Sequence, residues 1–122
     1  MAIQSFLDLD VYKESFQLSI EIDDLLKGFP PEEKFLLVDQ MKRASRSIPS
    51  LIAEGYAKRE SQKEFKKFLR DALAEANEMM NHLAFAKSRK YIDFAKANNL
   101  INRYAILGKK LHNLREKWIN FK

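Results

Sequence analysis

Apolar side chains recur at three- and four-residue spacing along almost the whole chain, and this period constrains the possible fold more than any other feature. In residues 9–27, for example, Val11, Leu18, Ile22 and Leu25 fall on one side of a helix. Only 3 glycines and 3 prolines interrupt the 122 residues, so long helices are favoured over a β architecture with many turns. The sequence therefore predicts an all-α fold.

Capping and helix-breaking residues divide this pattern into four helices. Gly28 is placed to end the first helix in the left-handed conformation that glycine adopts at little cost, and Pro31 suits the first turn of the second. Ser61 and Glu64 have the spacing of a capping box before the third helix, and Asp93 can cap the fourth. The predicted helices cover residues 9–27, 31–56, 62–87 and 93–119.

The connections between these helices are short, so consecutive helices must run antiparallel. A chain of 122 residues suits one domain, and a domain of this size buries roughly two thirds of the surface that its unfolded chain exposes. We therefore predict that residues 1–122 form a single domain, an up-down-up-down antiparallel four-helix bundle.

Phenylalanine contributes much of the predicted core. Phe16 widens the apolar stripe of the first helix together with Ile20. On the later helices Phe35, Phe68 and Phe94 occupy positions whose spacing predicts that they point inward.

Charge is distributed unevenly along the chain, although the net charge is only +5. Residues 1–41 contain three basic and nine acidic side chains, whereas residues 42–70 contain nine basic and three acidic ones. Residues 87–122 contain ten basic and two acidic side chains. Surfaces of opposite sign could attract a polyanion or could pack against each other between subunits.

The basic segment of the second and third helices is the strongest candidate for a functional site. Lys63, Lys66, Lys67 and Arg70 recur at three- and four-residue spacing and therefore share one helical face. Such a face would bind phosphates in a salt-sensitive, sequence-tolerant manner. The alternatives are a solvated surface or an intersubunit partner for the acidic first helix. The predicted nucleic-acid-binding residues are Arg43, Arg46, Lys58, Arg59, Lys63, Lys66, Lys67 and Arg70.

A second motif lies towards the end of the second helix. Pro49 should remove a backbone hydrogen bond and bend the helix, and Gly55 should end it. Glu54 is a candidate for a buried carboxylate near the bend. The motif could form a pocket, but a role in helix packing or in a subunit interface is favoured. The motif residues are Phe29, Pro30, Ser47, Ile48, Pro49, Ala53, Glu54 and Gly55.

These segments resemble a known family. Residues 29–35, 42–56 and 63–69 are similar to the bacterial 23S rRNA intervening-sequence proteins, also called S23-type proteins. The most specific part is the Arg-Ala, Ser-Ile-Pro and Ile-Ala-Glu-Gly block. The resemblance runs from about residue 9 to the end of the fourth helix. It implies an antiparallel four-helix bundle that assembles as a pentameric ring or barrel.

The resemblance also implies partners. Some family members are encoded within insertions of large-subunit rRNA genes. A related protein, the accessory variability factor of diversity-generating retroelements, partners a reverse transcriptase and binds nucleic acid. We therefore predict a non-enzymatic homo-oligomer, a pentamer by resemblance, that associates with RNA or DNA. The alternative is a structural or adaptor protein whose oligomer binds a protein partner.

Patterns that would indicate catalysis are absent from the sequence. Met79 and Lys109 stand three residues before His82 and His112, where a di-iron bundle needs glutamate. The helical nucleases of the HEPN class use an Arg that precedes a His by about four to six residues for acid–base chemistry, whereas Arg103 stands nine before His112. The chain contains no cysteine for a thiolate site. We therefore expect no metal, no cofactor and no enzymatic activity.

Three aromatic residues lie near predicted helix ends and beside lysine or arginine: Tyr56, Tyr91 and Trp118. They could stack on nucleic-acid bases. Aromatic rings at such positions more often close the ends of the core, and we favour that interpretation.

The sequence carries no targeting signal that we recognise. The segment from Met1 to Phe6 lacks the basic region and apolar stretch of a signal peptide. No apolar run approaches the roughly 18 residues that a membrane span needs, and the lack of cysteine fits a reducing compartment. We therefore expect a cytoplasmic protein without membrane contact.

Overall fold

Four antiparallel α-helices make up the computed structural model, which describes residues 2–118. The helices are α1 (Asp10–Leu26), α2 (Leu37–Ala57), α3 (Gln62–Ser88) and α4 (Phe94–Lys117). Short 3-10 turns precede the first two helices, at Phe6–Asp8 and Pro31–Glu33. The predicted up-down-up-down bundle is confirmed, while residue 119, the predicted end of the fourth helix, lies outside the described residues.

Side-chain caps determine where α3 and α4 begin. The hydroxyl of Ser61 accepts a hydrogen bond from the backbone N–H of Glu64 at 3.1 Å. The carboxylate of Asp93 accepts one from the backbone N–H of Lys96, also at 3.1 Å. Each bond satisfies a first-turn N–H that has no partner within its own helix. Both predicted N-caps are therefore confirmed, but the reciprocal bond of a capping box is not formed, since the N–H of Ser61 donates to the carbonyl of Lys58 at 3.1 Å.

One hydrophobic cluster, with residues from all four helices, fills the interior of the bundle. Leu18, Ile48, Leu69 and Leu107, one from each helix, have no exposed surface. Full burial of such a side chain contributes roughly 1.5–3 kcal/mol relative to exposure, so this shared core holds the helices together. No helix within residues 2–118 has both the length and the apolar character needed to cross a membrane.

Some apolar residues predicted to lie inward are exposed instead. Phe35 is 82% exposed and Phe94 is 65% exposed. Phe35 precedes α2 because the chain forms turns between Pro31 and Leu37, so helical spacing does not govern its direction. Phe94 is the first residue of α4, and the buried residues of this helix begin only with Ala97, about one turn later.

Two further corrections concern the exposed face of α1 and the middle of α3. Phe16 and Ile20 are 48% and 45% exposed, because they line an open groove between α1 and α2 rather than the core. Phe68 is half-buried, against the backbone of α2.

Gly28 follows the end of α1, as predicted, but the left-handed conformation predicted for it is wrong. Within the described residues no glycine has a positive φ. The N–H of Gly28 donates to the carbonyl of Leu25 at 3.2 Å, and extended backbone at Pro30 then leads the chain away. A left-handed residue is not needed at this turn because proline already stops the helix.

The left-handed residue is Lys90, with φ 63°, directly after α3. The N–H of Tyr91 donates to the carbonyl of Ala86 at 2.9 Å, and that of Lys90 donates to the carbonyl of Lys87 at 3.0 Å. These two bonds form a Schellman motif, which normally has glycine at the left-handed position. Lys90 is therefore strained.

We predict that Lys90→Gly raises the free energy of unfolding by about 1 kcal/mol, because glycine adopts this conformation without steric cost. Urea denaturation followed by circular dichroism would measure the change. Lys90→Ala is the matched control, because it removes the same charge and keeps the strain. Equal stabilisation by both substitutions would contradict the explanation.

Gly55 permits the close approach of α2 and α3. A Cβ atom at this position would lie 2.5 Å from Cβ of Phe68 and 3.2 Å from Cδ1 of Phe65. The prediction that Gly55 ends the second helix is wrong, since α2 continues to Ala57. Its role is to leave room for the phenylalanine side chains of α3.

We predict that Gly55→Ala lowers the free energy of unfolding by about 1–3 kcal/mol through overpacking, although alanine is the better helix former by about 1 kcal/mol. Thermal and urea denaturation would measure the loss. Gly28→Ala is the control, because the nearest atom to its added Cβ would be an ordinary 3.7 Å away. It should leave stability unchanged or raise it.

The other residues of the motif around Pro49 differ in how deeply they are buried. Pro49 is buried inside α2, which continues through it, and Ile48 has no exposed surface. Glu54 is exposed, so the prediction of a buried carboxylate there is wrong. It lies on the outer side of α2, between the buried positions Ile52 and Gly55.

A carboxylate is instead half-buried on α3, at Glu75. Its Oε2 atom has no hydrogen-bond partner. Burial raises the pKa of Glu75, repulsion from Glu78 adds to the effect, and the hydroxyl of Ser47 opposes it. The ionised form of Glu75 is therefore less favourable in the folded chain than in the unfolded one.

We predict that Glu75→Gln stabilises the fold at pH 7. The pKa of Glu75 is higher in the folded chain than in the unfolded chain. Its ionisation therefore lowers the free energy of unfolding as pH rises from the unfolded-state pKa through the folded-state pKa. The gain from Glu75→Gln should therefore disappear below about pH 4. Urea denaturation at both pH values would show it, with the exposed Glu54→Gln as a control expected to change nothing. A pH-independent gain would contradict the prediction.

Candidate nucleic-acid interface

An open groove of about 590 Å³ lies between the beginning of α3 and the end of α4. The predicted residues Lys63, Lys66, Lys67 and Arg70 line it from α3, and Arg115 lines it from α4. The four residues of α3 share one face because of their helical spacing. Arg115 joins them because antiparallel packing places the end of α4 beside the beginning of α3.

The groove is electropositive. Its five cations face two carboxylates, Glu64 and Glu116, among the residues that line it. Within the described part of the chain, the three groove lysines form no ion pair, and Arg70 has a long contact of 3.9 Å with the adjacent Asp71. The positive charge of the groove is therefore mostly uncompensated, which is the electrostatic requirement for binding an anion.

Two of the predicted basic residues lie elsewhere and have acidic partners. Nε of Arg43 lies 3.0 Å from a carboxylate oxygen of Asp39, one turn earlier on α2. A guanidinium nitrogen of Arg46 donates to Asp23 of α1 at 2.8 Å. The structure does not bring either residue into the groove, since Arg46 faces α1 and the Arg43 side chain lies exposed along α2.

Lys58 and Arg59 lie in the turn between α2 and α3, at the same end of the bundle as the groove. The ammonium of Lys58 is 4.9 Å from the ring centroid of Phe68. The guanidinium of Arg59 is 4.1 Å from the ring centroid of Tyr56 and donates to the backbone carbonyl of Tyr56 at 3.0 Å. Both cations therefore rest on aromatic rings rather than on acidic partners.

The acidic side chains of α1 pair with basic residues of the same chain. Glu21 accepts two hydrogen bonds of 2.7 Å from the guanidinium of Arg103, which lowers the pKa of Glu21. Asp10 accepts a bond of 2.8 Å from Lys110. Acidic α1 thus neutralises parts of α2 and α4, and the groove lies on the far side of the bundle from these pairs.

The aromatic residues near the helix ends close the core, as favoured. Tyr56 is buried, and its ring centroid lies 6.1 Å from that of Phe65 and 6.3 Å from that of Trp118. At the other end Tyr91 packs on Phe29, with ring centroids 5.4 Å apart. These contacts leave the rings unsuited to stacking on bases.

Each of the two histidines lies near one glutamate of its own helix. Within residues 2–118, no group of three or more potential ligands is arranged to hold a metal ion. Nε2 of His82 is 3.8 Å from Glu78 and has no hydrogen-bond partner. Nε2 of His112 is 4.0 Å from Glu116.

Arg115 is the groove residue that the sequence interpretation missed. It lies in the strongly basic segment of residues 87–122, so its charge alone was a signal. Its place beside Lys66 depends on how α4 packs on α3. Sequence spacing shows which residues are neighbours on the same helix, but not which residues of two different helices are neighbours.

Comparisons with known proteins agree with this architecture. The chain is similar to a crystal structure of a protein of unknown function from the S23 ribosomal protein family of Bacteroides thetaiotaomicron VPI-5482, with 27% sequence identity and a TM-score of 0.79. The similarity covers 88% of this chain and 99% of that one. Among curated proteins, none matches this chain significantly. The model of the 23S rRNA-intervening sequence proteins matches residues 7–113, and the chain therefore belongs to that family.

Proposed function

We propose that this protein is a non-enzymatic, oligomeric, cytoplasmic nucleic-acid-binding protein whose phosphate contacts lie in the groove between α3 and α4. One observation carries the proposal: five cations converge there from two helices, opposed by two carboxylates. The family description refers to sequences that intervene in 23S rRNA, so the choice of a nucleic acid as the anion rests on the chemistry of the groove.

The chemistry of the groove suits the nucleic-acid backbone better than the base edges. Lysine and arginine neutralise phosphates and release condensed counterions, and these contacts carry no sequence information. If the protein makes about five phosphate contacts, raising the salt from 50 to 200 mM would lower its affinity by roughly 10²- to 10³-fold. A strong salt dependence with little sequence preference is therefore the expected behaviour.

Oligomerisation supplies avidity in this proposal. Several copies in a ring would multiply weak phosphate contacts without any new contact within one subunit. The family resemblance implies a pentamer. Leu7, Phe16 and Ile20 are 55%, 48% and 45% exposed on the α1 side of the bundle, where they offer apolar surface for subunit contacts.

We predict that Lys63→Glu/Lys67→Glu weakens binding at least tenfold at low salt and reduces the slope of log affinity against log salt by about two. Both side chains are exposed, so the substitutions should not disturb the core. Fluorescence anisotropy with a structured RNA and a duplex DNA, at about 50 and 200 mM salt, would measure both quantities.

The control for this experiment is Lys13→Glu/Lys27→Glu, which changes the net charge equally on the exposed surface of α1. It should retain affinity, because the groove is untouched. Equal losses in both variants would show that binding depends on overall charge and not on the groove. Undiminished binding by the groove variant would exclude the groove as the phosphate site.

A structural or adaptor role is the second candidate function. The groove between α1 and α2, lined by Tyr12, Phe16, Ile20 and Pro49 among others, favours it because exposed apolar surface of this kind is typical of protein contacts. In that case the basic groove would serve solubility or assembly. If the unaltered protein binds no nucleic acid even at the lower salt, nucleic-acid binding is excluded and the structural or adaptor role is favoured.

A further inference from the structure

The end of the bundle opposite the groove exposes two phenylalanine rings, each accompanied by a lysine. Phe35 is 82% exposed, and the ammonium of Lys34 lies 5.3 Å from its ring centroid. Phe94 is 65% exposed, and the ammonium of Lys87 lies 4.1 Å from its ring centroid. In each pair the ammonium lies over one face of the ring, so the opposite face is the one that can present a flat π surface next to a cation.

The two pairs belong to the same end of the molecule. Phe35 follows the turn at Pro31–Glu33, and Phe94 follows the connection between α3 and α4. A hydrogen bond of 2.8 Å from the hydroxyl of Tyr91 to Glu33 joins these two segments. The bundle core does not use either ring, since both fall outside the hydrophobic cluster and the partly buried residues packed against it.

The surroundings of the rings carry a net positive charge. The acidic residues of these segments are Glu32, Glu33 and Asp93. The basic residues, which outnumber them, are Lys34, Lys87, Arg89, Lys90 and Lys96.

This combination suits an unpaired nucleic-acid strand. Proteins that bind single strands place aromatic rings, on which bases stack, beside cations that contact the phosphates. A protein partner fits less well, because lysine is depleted from the centres of protein interfaces. Burial of the ammonium groups of Lys34 and Lys87 there would cost desolvation unless the partner placed a carboxylate at each, whereas every phosphate of a strand supplies an anion.

We infer that Phe35 and Phe94 stack on unpaired bases while Lys34 and Lys87 contact the neighbouring phosphates. The inference rests on the proposed function and names its ligand class: a nucleic acid with a single-stranded segment. Lys66 in the groove and Lys87 are 21 residues apart on α3, or roughly 30 Å. The stacking surface is thus separate from the groove, and it can be tested independently.

The test compares the unaltered protein with Phe35→Ala/Phe94→Ala on three fluorescent probes: a single strand of about 20 nucleotides, its duplex, and an abasic strand of equal length. The abasic strand keeps the phosphates and lacks the bases. We expect the substitutions to weaken binding to the single strand by about tenfold per ring. Binding to the duplex and to the abasic strand should not change.

Two further variants separate stacking from apolar contact. Phe35→Tyr/Phe94→Tyr keeps the flat rings and should bind the single strand as the unaltered protein does. Phe35→Leu/Phe94→Leu keeps apolar volume without a ring and should lose affinity as the alanine variant does. Retained affinity in the leucine variant would overturn the inference. Thermal unfolding would verify that all variants are folded, as expected from the exposure of both rings.

The remaining outcomes are also decisive. A smaller oligomer of the alanine variant in sedimentation would show that the rings belong to a subunit interface, and the inference would be wrong. Equal affinity of the unaltered protein for the single strand and the abasic strand would overturn the stacking surface alone and leave the groove proposal intact. Failure to bind any of the three probes would overturn both.

Discussion

The antiparallel packing of α3 on α4 is the contact on which the other features of this molecule depend. At one end the rings of Phe65 and Trp118 meet edge to face, with centroids 4.7 Å apart. Midway, the absence of a side chain on Gly108 admits Leu73, whose Cδ1 would lie 3.0 Å from an added Cβ. At the other end Lys87 donates to Asn98 at 2.7 Å. This pairing puts the last turn of α4 beside the first turns of α3 and so creates the basic groove.

Pairing of opposite charges within the chain explains why the groove retains its positive charge. The acidic residues of α1 are close to α2 and α4, and they form short ion pairs with Arg46, Arg103 and Lys110. Such partly exposed pairs contribute little to stability individually. Their larger consequence concerns position. Because the acidic side chains of α1 are held against α2 and α4, they do not lie in the basic groove between α3 and α4. An acidic helix and a basic face thereby coexist on one small bundle without cancelling.

The two ends of the bundle differ in the chemistry that they expose. The end that holds the groove has its aromatic rings turned inward, with Tyr56 buried and Arg59 resting on it. The opposite end has Tyr91 packed inward on Phe29, yet leaves Phe35 and Phe94 in solvent. The groove itself, whose lining has no aromatic residue, suits a phosphate backbone, whereas cations beside open rings suit bases as well. Under the two proposals, one molecule would hold a nucleic acid that is partly paired and partly single-stranded.

The features that depend on neighbours along the chain could be predicted from the sequence. Apolar spacing predicted the four helices, and the caps at Ser61 and Asp93 were predicted because a cap bonds to an N–H only three residues away. The shared face of Lys63, Lys66 and Lys67 follows from the same local geometry.

Which helices face each other depends on how the whole core packs, and the sequence interpretation failed where that mattered. Gly55 is small because Phe68 of another helix approaches it, not because a helix ends there. Arg115 completes the groove although 45 residues separate it from Arg70 in the chain. Arg46 was expected in the basic site but is held by Asp23 of α1. Periodicity places a residue on a face of its own helix, whereas the partner of that face is chosen by packing of the whole core.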